Sequence, residues 1–129
     1  MKERLTTVLP CNDLDATEAF FARLGFRRDF AHGDDFRSLV RDACGTDLHL
    51  TRAVPGWLVP AKNPFGFYLH VADVDALAVT FAGEMIESGK APEHKPWGMY
   101  EFSLNAPDDT LVRIGWPSSL TPPGSSPHR

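Results

Sequence analysis

Apolar positions along this chain follow strand and helix periods in an order that occurs twice. In the first half the spacing predicts a helix whose first turn carries the capping carboxylates Asp13 and Asp15. Gly25 is expected to end this helix as its C′ residue. Strands are predicted on either side of the helix, over residues 5–10, 26–31, 36–41 and 47–52. The predicted order is therefore strand, helix and three strands.

The second half repeats this order after a Pro/Gly-rich connection over residues 54–64. A strand over 65–71 leads to a helix that Asp73 caps and whose apolar positions continue to Met85. The remaining strands are predicted over 89–95, 99–105 and 110–116, the last two joined by a turn at 106–109. The Ser-, Pro- and Gly-rich residues 117–129 are expected to form a disordered tail.

The two halves are also similar residue by residue. Residues 9–22 align with residues 69–82 at an offset of 60, with six of fourteen positions identical, and residues 46–50 echo residues 110–114. Two copies are too few for a solenoid. They predict one domain over residues 1–116, made of modules 5–52 and 65–116. A ligand cleft is expected where modules or subunits face each other.

Charge and composition exclude several classes of protein. The net charge is −4 and basic residues form no run, so nucleic acid is not an expected partner. The apolar stretches are too short to cross a bilayer, so no membrane partner is expected. Cys11 and Cys44, without a signal-like apolar core at the start, predict free thiols and a cytoplasmic location.

One aromatic residue has an unusual setting. Trp97 lies between Pro96 and Gly98 in a polar loop, where strand alternation would not bury it. Aromatic rings on loops often meet a ligand or a subunit, so Trp97 is a candidate binding residue. Phe67 is consistent with core packing and equally with ligand contact. Trp57, in the connection, is a weaker candidate for ligand contact.

Two segments resemble a known family. Residues 9–26 and the closing segment 95–115 are similar to the opening and closing motifs of bleomycin resistance proteins, in the vicinal oxygen chelate superfamily with glyoxalase I and extradiol dioxygenases. The Pro-Trp-Gly motif with Glu101 behind it is the discriminating part. The resemblance implies an α+β fold of two tandem βαβββ modules, with curved mixed sheets around a cleft. Asp109 replaces the glycine usual in the final turn and must take its left-handed conformation.

Catalytic members of the superfamily hold a divalent metal with four ligands. The resemblance places these positions on Thr6, His49, Gly66 and Arg113, of which only His49 could ligate. We therefore expect no metal, no cofactor and no catalytic residue, with His49 lining a cavity. No phosphate loop or nucleophile elbow is present in the sequence.

The resemblance also implies a ligand site in which Phe36 and Trp97 sandwich the flat bithiazole of bleomycin. Neighbouring contacts fall on Thr51 and Gly98, while acidic side chains such as Glu101 could face the cationic tail. The full set of predicted binding residues is Phe36, His49, Thr51, Trp57, Phe67, Trp97, Gly98, Glu101 and Arg113.

The expected function is binding and sequestration of bleomycin-type antibiotics, metal-free or copper-loaded, by a homodimer that performs no chemistry. Two alternatives stay open at this point. One is a metal-dependent lyase or dioxygenase of the same superfamily. The other is a non-enzymatic binder of another small flat metabolite.

Overall fold

Each half of the chain forms a four-stranded mixed sheet with one helix in the computed structural model, which describes residues 3–86 and 91–121. The described residues divide into two compact units. Unit 1 runs to Asn63 and also includes Pro107–Asp109. Unit 2 contains the other described residues, from Pro64 onwards.

Unit 1 has the predicted order of elements. Its strand order is β1-β4-β3-β2, with β1 parallel to β4 and the other neighbours antiparallel. The bounds are β1 Thr7–Cys11, α1 Leu14–Arg23, β2 Phe26–His32, β3 Phe36–Arg41 and β4 Thr46–Arg52.

Both ends of α1 follow from local chemistry. The Asp13 carboxylate accepts a hydrogen bond from the Ala16 N–H at 3.0 Å, which caps the first turn. At the other end, Gly25 adopts φ +94° and ends the helix as predicted. The Arg41 guanidinium donates to the Leu24 carbonyl at 2.7 Å, satisfying an acceptor that the helix itself leaves open. The buried side chain of Phe21 belongs to the core between α1 and its sheet.

Unit 2 repeats this architecture with the strand order β5-β8-β7-β6 and the parallel pair at β5 and β8. The bounds are β5 Gly66–His70, α2 Val74–Thr80, β6 Glu93–His94, β7 Met99–Asn105 and β8 Leu111–Pro117. The register confirms the internal repeat. Leu9 pairs with Leu50 in unit 1, and their sequence equivalents Leu69 and Ile114 pair in unit 2.

The predicted extension of the second helix to Met85 is wrong. The helix ends at Thr80 with Phe81 as its C-cap, and Gly83 then adopts φ +83°. Met85 instead forms an isolated antiparallel bridge with Leu104 of β7. A half-buried residue beside a sheet is also favoured to be apolar. Met85 therefore matches the helical period without belonging to the helix.

Two other predicted segments have different bounds in the structure. Of the strand predicted over 89–95, the structure shows β6 alone, and residues 87–90 lie outside the described part of the chain. Ser118–Leu120 form a 3₁₀ turn, so predicted disorder is wrong there. The Ser118 N–H donates to the Gly98 carbonyl at 2.8 Å, which ties this turn to the loop before β7. Residues 122–129 lie outside the described part.

The turn between β7 and β8 uses two left-handed residues. Asp109 has φ +58°, as predicted, and Asp108 also has φ +65°. The carboxylate of Asp108 accepts hydrogen bonds from the Asn12 backbone N–H at 3.0 Å and from its side-chain amide at 2.8 Å. These bonds stabilise a conformation that a non-glycine residue adopts only at some cost.

No helix in the described part of the chain is long and apolar enough to cross a membrane.

Candidate functional site

Each sheet has one face toward its helix and a second face, which we call the helix-distal face. In unit 1, Arg37 forms an ion pair with Asp15 of α1 at 2.6 Å, so it lies on the helix side. Its neighbours Phe36 and Ser38 therefore point to the helix-distal face. The register places Phe36 opposite Thr51 and Ser38 opposite His49.

The helix-distal face of unit 1 carries a cluster of rings. The ring centroids of Phe36 and His49 lie 5.1 Å apart at an interplanar angle of 72°, and Phe30 lies 6.2 Å from Phe36. Three predicted site residues, Phe36, His49 and Thr51, are thus brought together. Phe30, which is 57% exposed, was missed by the sequence analysis. A register shift between Arg28 and Phe30 breaks the alternation that would have revealed it.

Unit 2 has a corresponding face of different chemistry. Tyr100 donates its hydroxyl to Asp75 of α2 at 2.5 Å, so it lies on the helix side and Glu101 lies on the helix-distal face. The register sets Glu101 opposite Gly115 and places Arg113 next to Tyr68. This face therefore combines a carboxylate, a phenol and a guanidinium.

Glu101 is the centre of this polar cluster and is only 1% exposed. Its Oε1 accepts hydrogen bonds from the Tyr68 hydroxyl at 3.0 Å and from the Trp97 indole N–H at 2.9 Å. Arg113 Nη1 lies 3.6 Å from Oε2, close enough for an ion pair but too long for a hydrogen bond. Burial and the bond to Glu101 together raise the pKa of Tyr68 above its ordinary value, so this phenol is a hydrogen-bond donor at neutral pH.

Gly115 makes room for this arrangement. A Cβ added there would collide with the Tyr68 hydroxyl and would lie 2.8 Å from Glu101 Cβ and 2.9 Å from the Tyr100 carbonyl. No side chain fits at this distance, so the glycine is required for Tyr68 to reach Glu101. Sequence analysis found neither Tyr68 nor Gly115, because only the strand register brings them beside Glu101.

Trp97 lies in the four-residue hairpin loop, residues 95–98, between β6 and β7. The Lys95 N–H donates to the Met99 carbonyl at 2.7 Å, and Gly98 has φ +88°. A proline followed two residues later by a left-handed glycine is typical of such loops. The indole projects from the loop with 58% of its area exposed. Lys95 Nζ lies 5.9 Å from the centroid of the ring, within cation–π distance.

Three other predicted residues have different local settings. Gly98 donates its N–H to the Lys95 carbonyl at 3.0 Å, so that group closes the loop and does not face a ligand. Phe67 pairs with Val112 and alternates with Tyr68, which places it on the helix side of its sheet. Trp57 is 79% exposed on the turn that begins at Val54, in unit 1.

Three of the four positions that the resemblance assigns to metal ligands carry residues that do not fit a metal. The Thr6 hydroxyl donates to Asp47 at 2.8 Å, and Arg113 pairs with Glu101. Gly66 has no ligating group, and a Cβ there would lie 3.1 Å from the Leu111 carbonyl, so even a side chain is crowded. In residues 3–86 and 91–121, no three His, Cys, Asp or Glu side chains form a group suited to a metal.

Beside Glu101, unit 2 has a depression with a cavity volume of about 10 Å³, which Glu93, Lys95 and Ser103 also line. Sites for drug-sized ligands usually measure about 300–1,000 Å³. This depression alone is therefore too small for a large ligand, and the exposed face of Trp97 is the more suitable contact surface.

Comparisons with known proteins add the family. Neither the protein-family models nor the curated proteins contain a match. Among solved structures, a bleomycin-binding protein complexed with bleomycin is 30% identical over 89% of this chain and 98% of that one, with a TM-score of 0.74. A bleomycin resistance determinant encoded on the transposon Tn5 is 28% identical over 90% and 98%, with the same TM-score.

Two further structures extend the likeness. The bleomycin-binding protein from Streptomyces verticillus, complexed with copper(II)-bleomycin, is 26% identical over 90% of this chain and 98% of that one, with a TM-score of 0.64. A lactoylglutathione lyase from Agrobacterium tumefaciens, 24% identical over 90% and 94% with a TM-score of 0.65, shows the fold alone. With its two βαβββ units and a 30% identical relative matched over nearly its whole length, this chain belongs to the bleomycin resistance protein family of the vicinal oxygen chelate superfamily.

Proposed function

We propose that this protein binds bleomycin-type glycopeptide antibiotics and sequesters them without chemical turnover. The observation that carries the proposal is the Trp97 ring, which is largely exposed and yet held by a hydrogen bond to Glu101. An exposed and oriented indole suits stacking of a flat heteroaromatic group, which contributes about 0.5–1.5 kcal/mol beyond area burial. The complex of a 30% identical protein with bleomycin supports this ligand class.

We assign Phe36 the role of the second stacking ring. It belongs to the ring cluster of unit 1, and His49 and Thr51 lie beside it as flanking contacts. Arg113 is assigned to the polar rim of the site in unit 2, where its side chain is 38% exposed.

Binding without turnover is supported by the residues at the metal positions. A permanent cation at Arg113 and a crowded glycine at Gly66 oppose a divalent ion. The metal-dependent lyase or dioxygenase alternative would need ligands at both positions. Recovery of the drug with unchanged mass after prolonged incubation is the expected result. A chemically altered drug would contradict sequestration.

The proposal includes a homodimer in the cytoplasm. Val8 and Phe30 of unit 1 are apolar and more than half exposed, and a second copy of the chain would cover them. Sedimentation at micromolar concentration should show a species of about twice the 14.3 kDa chain. A monomer over the whole concentration range would contradict the dimer.

The central test is calorimetric titration with metal-free and with copper-loaded bleomycin. We expect about one equivalent per chain. Trp97→Ala should weaken binding by about 2–4 kcal/mol, as expected of a stacking hot spot, and Phe36→Ala should act similarly. The double variant should lose less than the sum, because the two rings act on one group.

Trp57→Ala, at the weaker of the two exposed tryptophan candidates, is the comparison variant. Trp57 is even more exposed than Trp97, but it lies on the turn beginning at Val54, in the connection between the modules. Its removal should weaken binding much less than the removal of Trp97. If wild-type protein binds neither form of bleomycin, the proposed ligand is wrong although the family assignment stands. If Trp97→Ala binds as tightly as wild type, the stacking site is wrong.

A further inference from the structure

The side chain of Trp97 is exposed but not free to rotate. The loop's backbone hydrogen bonds and the left-handed Gly98 fix the backbone around Trp97. They do not fix the orientation of its indole. The bond from Nε1 to Glu101 Oε1, at 2.9 Å, does restrict it. A hydrogen bond to an ionised acceptor is stronger than one between neutral groups.

Burial of the Glu101 carboxylate at this position costs free energy of folding. A carboxylate that is 1% exposed has lost almost all of its hydration, and one of its oxygens, Oε2, has no hydrogen-bond partner. Arg113 compensates the charge only at 3.6 Å. Replacement of buried ion pairs by apolar residues is often neutral or stabilising, so stability alone does not explain the carboxylate.

Unit 1 shows that the fold itself does not require a carboxylate here. Phe36 lies opposite Thr51 in β4, and Glu101 lies opposite Gly115 at the equivalent position of β8. The same register position thus holds an apolar ring in one unit and a buried acid in the other. The acid adds hydrogen bonds to Tyr68 and to Trp97, and of these two partners Trp97 is the stacking residue of the proposed site.

We infer that Glu101 is a positioning residue of the ligand site, which holds the Trp97 indole in its stacking orientation through Nε1. This inference rests on the proposed function and names how one part of that site works. Glu101 contacts the tryptophan and not the drug. Its effect on affinity comes from preorganisation, because a ring already held in place loses less conformational entropy when a ligand stacks on it.

The indole N–H resonance of Trp97 in a ¹⁵N–¹H spectrum reads this bond without any drug. Trp97→Phe assigns the resonance. In Glu101→Leu the resonance should move upfield and its hydrogen exchange should accelerate, since the acceptor is gone. Glu101→Gln keeps a carbonyl oxygen and should partly restore both. Tyr68→Phe is the matched control: it removes the other donor to the same oxygen and should leave the Trp97 resonance near its wild-type position.

Bleomycin titration of the same variants then separates positioning from direct contact. Glu101→Leu should weaken binding about 10- to 100-fold in the wild-type background and less than 3-fold when Trp97 is already alanine. An equal loss in both backgrounds would overturn the inference, because Glu101 would then act on the ligand directly. An unchanged N–H resonance in Glu101→Leu would also overturn it. Absence of drug binding in wild type refutes the proposed function, while the resonance still decides whether Glu101 holds the indole.

Discussion

The helix-distal faces of the two sheets have the same ladder but opposite chemistry. In unit 1 the ring of Phe36 packs against His49 at 5.1 Å. In unit 2 the equivalent register positions hold Glu101 and Arg113, which form an ion pair at 3.6 Å. A pair of rings in one sheet and a pair of charges in the other thus occupy equivalent register positions.

The neighbouring positions differ in step with these pairs. Where unit 1 has Thr51 beside Phe36, unit 2 has Gly115 beside Glu101. The small residue lets Tyr68 reach the carboxylate. The two modules therefore share their backbone pairing and their helix-facing core. The side chains on the helix-distal face differ together, as one group.

The largest effect is expected from Gly115→Ala. The new Cβ would overlap the Tyr68 hydroxyl and crowd Glu101 and the Tyr100 carbonyl, which should cost about 3 kcal/mol of unfolding free energy. Thr51→Ala, at the equivalent position of unit 1, should cost less than about 1 kcal/mol. Urea denaturation measures both. Adding Tyr68→Phe to Gly115→Ala should recover part of the loss. Equal losses at the two positions would break the comparison.

An intermediate effect is expected from Arg113→Met. Removal of this cation leaves the buried Glu101 carboxylate without compensation, at a cost of about 1–3 kcal/mol. His49→Met, the counterpart in unit 1, removes the ring contact with Phe36 and should cost less than about 1 kcal/mol. Arg113→Lys keeps a positive charge and should lie between wild type and Arg113→Met in thermal denaturation. An Arg113→Met protein as stable as wild type would show that the ion pair contributes nothing.

The smallest effect concerns Asp47 and its pH dependence. Partial burial raises the pKa of this carboxyl, but the Thr6 hydrogen bond and the charge of Arg4 outweigh it, so the pKa lies below its ordinary value. A lowered pKa contributes stability above the unfolded-state value of about 3.9 and loses it as the pH falls through the folded-state pKa. Asp47→Asn should therefore cost about 1 kcal/mol at pH 7 and much less near pH 3.

Leu111 is the control for this pH dependence. It occupies the position of Asp47 in unit 2, opposite Gly66, and carries no charge. Leu111→Ala should lower stability by the same amount at pH 7 and near pH 3. If the cost of Asp47→Asn is equally independent of pH, the carboxylate does not stabilise unit 1 through its charge.

Features that depend on neighbouring residues could be predicted from the sequence, whereas features that depend on contacts between distant residues could not. The start of α1 at Asp13 and its end at Gly25 were predicted, since caps depend on neighbours in the chain. The end of α2 was wrong, because the period continued to Met85 while a contact with Leu104 drew that residue to the sheet. Phe30 was missed because a bulge changes the face on which a residue points.

Chain-local information determined the repeated βαβββ order, the two helix caps and the polar loop that holds Trp97. Each of these depends on residue type and on spacing over a few positions. Tertiary structure decided that Glu101 lies buried beneath Trp97, that Tyr68 joins it and that Gly115 makes this contact possible. Such contacts join strands far apart in the chain, and a shift of one residue in register would move every one of these side chains to the opposite face.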